Sequence, residues 1–356
     1  MERNTGQLAF TQAFPACYAP GCSMDGWEDR WQREQQSVLS PQVPSTNNIR
    51  PSSKATRRSQ PQRWPQRSIG STAYVLALVA VYGTPIVPSI VDSAEASVVR
   101  VGASYHMVIA DRMAATTTCR VEHWQGSVNA SLPWSRVEII SVKQRSCGGV
   151  SLYWNSDATR WELLVRGESA GSWLRLFTRV GGFDALSSRG DWAEALSNSV
   201  LNASGAVSAP FYDTTEGRWH RLLAASTGLE LAAADRIAGP YSRTGDAVGL
   251  PTWASPAAGA AVCSWSGDST HFAVFPAANS SHFGFCFSWD AVTWPSAPTQ
   301  RVELPHNFSW AKQITKMHAV IEDPLHHGRV SIFFTGTDAA GNDAAVGVMQ
   351  AMLQYA

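Results

Sequence analysis

The sequence predicts an all-β fold, a five-bladed β-propeller, and three observations lead to this prediction. Short β-rich runs recur through the body of the chain, and Gly, Asp, Asn and Ser separate them. The runs group into units of three evident strands and a trailing fourth, with a period of about 40 to 55 residues. Five such units fill residues 97–356. Four-stranded units of this length are typical of propeller blades, and a large β-sandwich or a β-helix is the alternative.

The five predicted units follow one another with little chain between them. They span Ala103–Ile140, Cys147–Leu196, Ala209–Gly245, Gly259–Pro298 and Lys316–Leu353. Each blade of a propeller buries its faces only against its neighbours, so the ring has to close. The run "ASVVRVG" (Ala96–Gly102) precedes the first unit and has the character of a strand. We expect it to pair as the outermost strand of the last blade.

The third unit tests the fold class, because part of it looks helical. "LELAAAD" is rich in helix formers, yet it lies between an apolar run and Gly-Pro-Tyr. We interpret "RWHRLLAAS" as the second strand of the blade, "GLELAAAD" as the third and "GPYSRTG" as the turn into the fourth. The small alanine side chains would then let neighbouring blades approach closely, which a helix would leave unexplained.

The head of the chain, residues 1–68, differs from the body. It is rich in Gln, Ser, Pro and Arg and carries nine Lys or Arg against five Asp or Glu, although the whole chain has 28 of each. With few aliphatic residues it cannot bury enough surface to fold, so we predict a disordered basic head. We do not expect it to bind nucleic acid, because the segment that follows gives its charge another explanation. A plastid-targeting peptide is an alternative.

That segment, residues 69–91, is apolar and carries no charge over 23 residues. A stretch of about 20 apolar residues can cross a bilayer, and a basic flank favours a cytosolic head. Pro85 and Pro88 interrupt the second half, and "AEA" at Ala94–Ala96 suits a signal peptidase. We therefore predict a transmembrane anchor or a cleavable signal, with the propeller in the secretory pathway or outside the cell. A buried core helix is the third interpretation.

Two further patterns are consistent with export. Four glycosylation sequons follow the apolar segment and none precedes it. The body also contains four cysteines, which permits two disulfides in three connectivities or leaves buried thiols. The sequon residues are Asn129, Asn202, Asn279 and Asn307, and the cysteines are Cys119, Cys147, Cys263 and Cys286.

Three segments carry a resemblance to a known superfamily. They are "GLELAAADRIAGPYSRTG" (228–245), "FGFCFSWDAVTWPSAPTQRVELP" (283–305) and "HAVIEDPLHHGRVSIFFTGTDAAGNDAAVGV" (318–348). Each resembles a blade segment of the five-bladed glycoside hydrolases, the superfamily of arabinanases, β-xylosidases, levansucrases and invertases. The resemblance covers residues 97–354 and implies an enzyme that hydrolyses O-glycosyl bonds, with carbohydrate as its partner.

The resemblance also implies where the catalytic carboxylates belong. An Asp opens the first blade, a second Asp sits in the second blade and a Glu opens the third, and a pair of carboxyl groups does the chemistry. With "ASYHMVIAD" as the inner strand of the first blade, this sequence has no opening acid. The second and third units also lack one at their start. A carbohydrate- or protein-binding propeller without catalytic carboxylates is therefore the alternative function.

Several residues at the predicted inner strands remain candidates for a site. The candidate catalytic carboxylates and the candidate substrate-binding side chains also have structural interpretations, as turn residues and as core or packing residues. No cofactor is expected, and no metal, because His326 and His327 lack further ligands. The candidate carboxylates are Asp213, Glu322 and Asp323, and the candidate binding residues are His106, Trp154, Tyr212, Trp253 and His318.

Overall fold

The computed structural model describes most of the chain from Tyr74 to Tyr355. All of these residues belong to one compact unit, and the predicted head, residues 1–68, lies outside the described residues. The described ranges are 74–81, 84–90, 95–110, 119–127, 134–142, 147, 149–166, 172–195, 200–203, 205–214, 216–225, 228–248, 253–255, 259–264, 271–278, 281–288, 292, 294, 301–304, 310–323, 326, 328–342 and 344–355.

The first two blades follow the strand β1 (Tyr74–Val81) along the chain. Blade 1 contains, from the axis outward, β2 (Ala96–Val101), β3 (Ser104–Ala110), β4 (Arg120–Ser127) and β5 (Ser135–Ser141). Blade 2 contains β6 (Val150–Asn155), β7 (Arg160–Arg166), β8 (Ser172–Val180) and β10 (Leu201–Asn202), and β9 (Ala193–Ala195) also pairs with β8. A short 3-10 helix, Phe183–Ser187, follows β8.

The remaining three blades repeat the same order. Blade 3 contains β11 (Phe211–Asp213), β12 (Arg218–Ala225), β13 (Gly228–Ala234) and β14 (Ser242–Val248). Blade 4 contains β15 (Ala261–Ser264), β16 (His271–Pro276), β17 (His282–Ser288) and β18 (Arg301–Glu303). Blade 5 contains β19 (Gln313–Glu322), β20 (Arg329–Thr337), β21 (Ala345–Tyr355) and finally β1. Five sheets confirm the predicted five-bladed propeller.

The hydrophobic core of the propeller lies between the blades. Each of five clusters of buried side chains joins two neighbouring blades, and together they link the blades in a ring. This arrangement follows from the sequence, because strands with apolar residues on both faces can be buried only by a layer on each side. Blade 5 meets blade 1 through Ile321 and Phe333 on one side and Val98 and Met107 on the other.

The strand that closes the ring is not the predicted one. We expected Ala96–Gly102 to pair with the last blade, but Ala96–Val101 is β2, the innermost strand of blade 1, and it pairs with β3. A two-residue connection, Gly102 and Ala103, joins these strands, and Gly102 has φ +58°. Such a tight turn favours local pairing over pairing with a distant strand. The outermost strand of blade 5 is β1, so the propeller begins before residue 97.

The apolar segment 69–91 therefore contributes a strand to the propeller. Its described part contains β1, which pairs with β21 from Tyr74↔Tyr355 to Val81↔Met349. Farther along, Val87 forms a bridge with Val346. In the portion of the chain that the structure describes, no helix has the length and the apolar character that a membrane crossing would need. The strand at Tyr74–Val81 differs from the helix that an anchor or signal would form in those residues.

The strand assignment in the third unit is confirmed. β12 and β13 pair in register from Trp219↔Ala234 to Ala225↔Gly228. The turn is shorter than predicted, because β14 begins at Ser242, within the stretch "GPYSRTG" that was expected to form the turn. Ala232, Ala233 and Ala234 are all buried, and two of these alanines lie in the core that joins blade 3 to blade 2.

One of the two permitted disulfides is present. Cys119 and Cys147 are bonded, with 5.3 Å between their Cα atoms. Cys263 and Cys286 are free thiols, and they lie in different cores, on opposite faces of blade 4. Two side chains on opposite faces of a sheet cannot bond to each other. Burial raises the pKa of both thiols.

The position of β1 can be tested with two substitutions in the same strand. Leu76 is 2% exposed and packs into the core between blades 4 and 5, whereas Val79 is 48% exposed. We expect Leu76→Ala to lower the free energy of unfolding by about 2–5 kcal/mol. Val79→Ala should lower it by less than about 1 kcal/mol. Equal, small effects of the two variants in urea denaturation would contradict the strand.

Candidate functional site

Three positions that open the inner strands of blades 1 to 3 lie at the same end of the propeller. Glu95 directly precedes β2, Gly149 directly precedes β6 and Ser208 lies just before β11. Arg166 connects the first two positions, because its backbone N–H donates to the Gly149 carbonyl while its side chain pairs with Glu95. An acid therefore does open the first blade, although we expected none.

Glu95 is held in a mostly buried, positively charged setting. Its side chain is 12% exposed, and Oε1 lies 3.3 Å from Nη2 of Arg166. Burial raises the pKa of Glu95 above its ordinary value, although the charges of Arg166 and Lys316 act in the opposite direction. A carboxyl with a raised pKa at a partly accessible position is suited to proton transfer.

Arg221 reaches the same end of the propeller from blade 3. It lies on β12, is fully buried, and its Nη1 donates to Ser151 Oγ at 2.8 Å and to the Ser208 carbonyl at 3.0 Å. The rings of Tyr153 and Tyr241 lie 5.1 and 5.0 Å from its guanidinium carbon. We call the group of Glu95, Arg166 and Lys316 the axial cluster.

His318, a predicted substrate-binding residue, positions the start of β2. Its Nδ1 accepts a hydrogen bond from the Ala96 backbone N–H at 3.3 Å, and its Nε2 lies 2.7 Å from Thr335 Oγ1. Burial, together with the Lys316 charge, lowers the pKa of His318 to about 3. The imidazole is therefore neutral, with Nε2–H donating to Thr335. Both nitrogens are engaged within the protein, next to Glu95.

Asp213, a predicted catalytic residue, lies in a different group. It ends β11, is 1% exposed, and accepts a hydrogen bond from the Glu216 backbone N–H at 3.1 Å. Glu216 in turn lies 3.6 Å from Nε2 of His220. Potential metal-ligand atoms of these three residues lie within 4.8 Å of one another, so the group has the donor types for a divalent cation. Its own contacts equally suit a turn that joins β11 to β12.

The other two predicted carboxylates lie at the far end of β19. Asp323 is 3.6 Å from Nη1 of Arg100 and 2.8 Å from Nδ1 of His326. Glu322 lies on β19 next to it, and its charge contributes to the raised pKa of Cys263. Asp213 and Asp323 contact different residues and do not share a partner in the described contacts. A catalytic role for either carboxylate stays a prediction.

His106, the remaining predicted histidine, belongs to a buried chain of hydrogen bonds that runs from blade 1 to blade 2. It is on β3 rather than on the inner strand, and its Nδ1 lies 3.0 Å from Nε2 of His123. Nδ1 of His123 lies 3.2 Å from Glu138, which also accepts from Arg179 at 2.9 Å and from Trp192 at 3.0 Å. Burial lowers the pKa of His106 to about 3. With no exposed surface, His106 is a core residue.

The predicted aromatic residues pack against the protein. Trp154 contacts Trp161 edge-on, with 5.4 Å between ring centroids. Tyr212 lies 5.1 Å from Trp219. The Trp253 ring carries the guanidinium of Arg301 at 4.7 Å. These contacts are those of blade packing, and a role in sugar binding stays a prediction.

Among the four sequon residues, Asn202 is described, and it is exposed on β10. Asn129, Asn279 and Asn307 lie outside the described residues.

The sequence analysis missed Glu95 because it assigned the wrong strand to the axis of blade 1. The stretch "VRVGASYH" contains the pattern that would have revealed it. Two β-rich runs are separated there by two residues, the first of which is a glycine. That spacing is typical of a hairpin, and it would have made Ala96–Val101 the first strand of blade 1. Arg166 and Arg221 could not have been found in this way, because their partners lie in other blades.

Comparisons with known proteins agree on the fold. No family model matches the chain, and no curated protein matches it. The chain is similar to the catalytic domain of the GH62 α-L-arabinofuranosidase of Coprinopsis cinerea, with 12% identity and a TM-score of 0.52 over 79% of this chain and 97% of that one. It is also similar to a family 117 glycoside hydrolase of Zobellia galactanivorans (11% identity, TM-score 0.47, 79% and 90% of the two chains).

A third solved structure, a GH43 β-1,3-galactosidase, has 13% identity and a TM-score of 0.46. The match covers 75% of this chain, and this chain spans 60% of the length of that protein. At 12% identity the likeness to the GH62 domain shows a shared fold, and activity has to be argued from the site.

The raised pKa of Glu95 predicts a pH-dependent effect of Glu95→Gln on stability. A carboxyl whose pKa is raised in the folded state favours folding less once it ionises, so the wild type loses stability relative to the variant as pH rises above 4.5. We expect the difference in unfolding free energy to move in favour of Glu95→Gln between pH 4 and pH 7. Urea denaturation over this range measures it, and Glu194→Gln on the exposed strand β9 is the control. A difference that moves the other way would contradict the assignment.

Proposed function

We propose that this five-bladed propeller is a glycosidase that acts at the axial cluster, with Glu95 as a carboxyl that transfers a proton during cleavage of an O-glycosyl bond. The observation that carries the proposal is the position of Glu95. It directly precedes the innermost strand of blade 1, is partly accessible, and its pKa is raised by burial. Glycoside hydrolysis uses a carboxyl of this kind as a general acid or base.

The fold gives this proposal its setting. One similar solved structure, with a TM-score of 0.52, is an α-L-arabinofuranosidase catalytic domain. That likeness supports carbohydrate as the class of ligand for this chain. The sugar, the linkage and the second carboxyl of the reaction are not assigned by it.

A second candidate function is glycan binding without catalysis. It is favoured by the corresponding positions in blades 2 and 3. The Glu95 carbonyl accepts a hydrogen bond from the backbone of the second strand, and the residues that accept in the same way in blades 2 and 3 are Gly149 and Ala206, which carry no carboxyl. The resemblance implies carboxylates in those two blades, and one carboxyl alone does not supply both an acid and a base.

Export from the cytosol is also part of the proposal. The disulfide between Cys119 and Cys147 supports it, because disulfides persist in oxidising compartments. The exposed position of Asn202, within a sequon, is consistent with glycosylation in the secretory pathway.

A glycan-hydrolysis screen on the full chain tests the proposed activity. We expect turnover of at least one oligosaccharide, and we expect Glu95→Gln to lower kcat/KM by about a hundredfold or more, because the variant cannot transfer the proton. Asp213→Asn and Glu322→Gln, run in parallel, test the carboxylates predicted from sequence.

The screen also separates the two candidate functions. Binding of an oligosaccharide by the wild type without turnover would favour the binding propeller. Equal activity of the wild type and Glu95→Gln would remove Glu95 from the mechanism, whichever glycan is cleaved.

A further inference from the structure

Strand β19 of blade 5 has two irregularities in its pairing with β20, and the second one inserts His318. Met317 pairs with Phe334 and Ala319 pairs with Phe333, so His318 is an extra residue between two consecutive register pairs. A bulge of this kind interrupts the ladder of backbone hydrogen bonds and changes the direction of the inserted side chain. The contacts of the inserted side chain therefore indicate what the bulge achieves.

The imidazole of His318 connects β20 to the first blade. Its Nε2 lies 2.7 Å from Thr335 Oγ1, and its Nδ1 accepts a hydrogen bond from the Ala96 N–H at 3.3 Å. A neutral imidazole carries one proton, and that proton is on Nε2 because Nδ1 has to accept. Burial, together with the charge of Lys316, lowers the pKa of His318 to about 3, so protonation does not break the contact at neutral pH. The bulge thus directs one lone pair of blade 5 at one backbone N–H of blade 1.

The N–H that His318 binds belongs to the peptide group that joins Glu95 to Ala96. The carbonyl of the same peptide group accepts a hydrogen bond from the Ala110 N–H at 3.0 Å. Because a peptide group is planar, one hydrogen bond on each side fixes its orientation, and with it the direction in which the Glu95 side chain leaves the backbone. Blade 1 supplies one of these two hydrogen bonds, and His318 of blade 5 supplies the other.

The carboxyl of Glu95 is held by separate contacts. Its Oε1 lies 3.3 Å from Nη2 of Arg166, which is on β7, and the charge of Lys316, which is on β19, also acts on it. A glutamate side chain has several rotatable bonds, so an ion pair at its tip is compatible with more than one position of the carboxyl. A fixed backbone reduces that choice. His318 at the backbone and Arg166 at the tip together define where the carboxyl lies.

We propose that His318 is a positioning residue for Glu95, which holds the carboxyl in its partly buried setting by fixing the peptide group between Glu95 and Ala96. Displacement of a catalytic group by about 1 Å can lower a rate by about a hundredfold, so this backbone contact matters for proton transfer. His318 acts through the backbone, which differs from the substrate-binding role predicted from the sequence. The inference rests on the proposed function, since it concerns the carboxyl that carries that function.

Two variants separate the hydrogen-bond acceptor of His318 from its bulk. His318→Leu removes both nitrogens, whereas His318→Asn keeps an acceptor, Oδ1, at the position of Nδ1. We expect His318→Leu to lower kcat by about tenfold or more with KM near the wild-type value, because a misplaced carboxyl weakens binding of the transition state alone. His318→Asn should retain most of the wild-type kcat. Steady-state kinetics of the full chain with arabinoxylo-, galacto- and fructo-oligosaccharides measure both constants.

The ionisation of Glu95 gives a second readout that needs no substrate. NMR of isotope-labelled glutamate carboxyls measures the pKa, and the spectrum of Glu95→Gln assigns the signal. We expect the raised pKa of Glu95 to fall toward its ordinary value in His318→Leu, because a carboxyl released from its position is better hydrated. It should stay raised in His318→Asn. Arg166 and Lys316 are present in both variants, so a difference between them is due to the residue at position 318.

Two further variants are controls. His282→Leu makes the same change on β17 of blade 4, where His282 lies 3.7 Å from Glu303, and it should leave kcat and the pKa of Glu95 unchanged. Thr335→Val removes the hydroxyl next to Nε2 of His318 and should change both readouts in the same direction as His318→Leu. Circular dichroism checks the fold of each variant, and Thr335→Val provides the test if His318→Leu does not fold.

The outcomes separate this inference from the proposed function. Wild-type kcat and an unchanged Glu95 pKa in folded His318→Leu, or in Thr335→Val where His318→Leu does not fold, would overturn the inference and leave the proposed function in place. Equal losses in His318→Asn and His318→Leu would also overturn it, because the acceptor would then not be what matters. If the wild type cleaves no glycan, the proposed function fails, and the pKa comparison still decides whether His318 positions Glu95.

Discussion

The pairing of β1 with β21 is the interaction on which the rest of the structure depends. A blade cannot bury its two faces alone, and each of the five cores lies between two neighbouring blades. Blade 5 obtains its fourth strand from the start of the folded region, so the two ends of the propeller chain are joined in one sheet. This closure also leaves β2 free to be the inner strand of blade 1, and it thereby places Glu95 at the axis.

Polar groups buried between the blades fall into two kinds. Glu138 lies on β5, the outermost strand of blade 1, and Glu162 lies on β7, the second strand of blade 2. Both carboxylates are buried, and each accepts several hydrogen bonds from neighbouring side chains. Hydrogen bonds from His123, Trp192 and Gly190, together with the Arg179 charge, outweigh burial and lower the pKa of Glu138. Arg221 is as deeply buried, yet two of its nitrogens have no acceptor in the described part of the chain.

The sequence was informative wherever the physical cause is local. Alternation of side chains and turn residues identified the strands of blades 2 to 5, and even the alanine-rich β13 could be told from a helix. The strand pairing that closes the propeller ring could not be predicted from local patterns, because it joins residues that are far apart in the chain, such as Leu76 and Leu353. The site depended on the same non-local information. Glu95 became visible once β2 was placed, and its neighbours Arg166 and Lys316 come from two other blades.

The apolar segment 69–91 shows why composition alone cannot separate a membrane span from a buried strand. Both avoid charge, and an outer strand covered on one face by a neighbouring blade can be as apolar as the core of a bilayer. Length is the better criterion, since β1 has eight residues and a spanning helix needs about 20. Pro85 and Pro88 follow within a few residues of its end, and proline removes the backbone donor that a continued helix needs. Within the described residues 74–81 and 84–90, the uncharged run is thus one strand followed by a proline-containing connection, and Glu95 is the first charged residue that the structure describes after it.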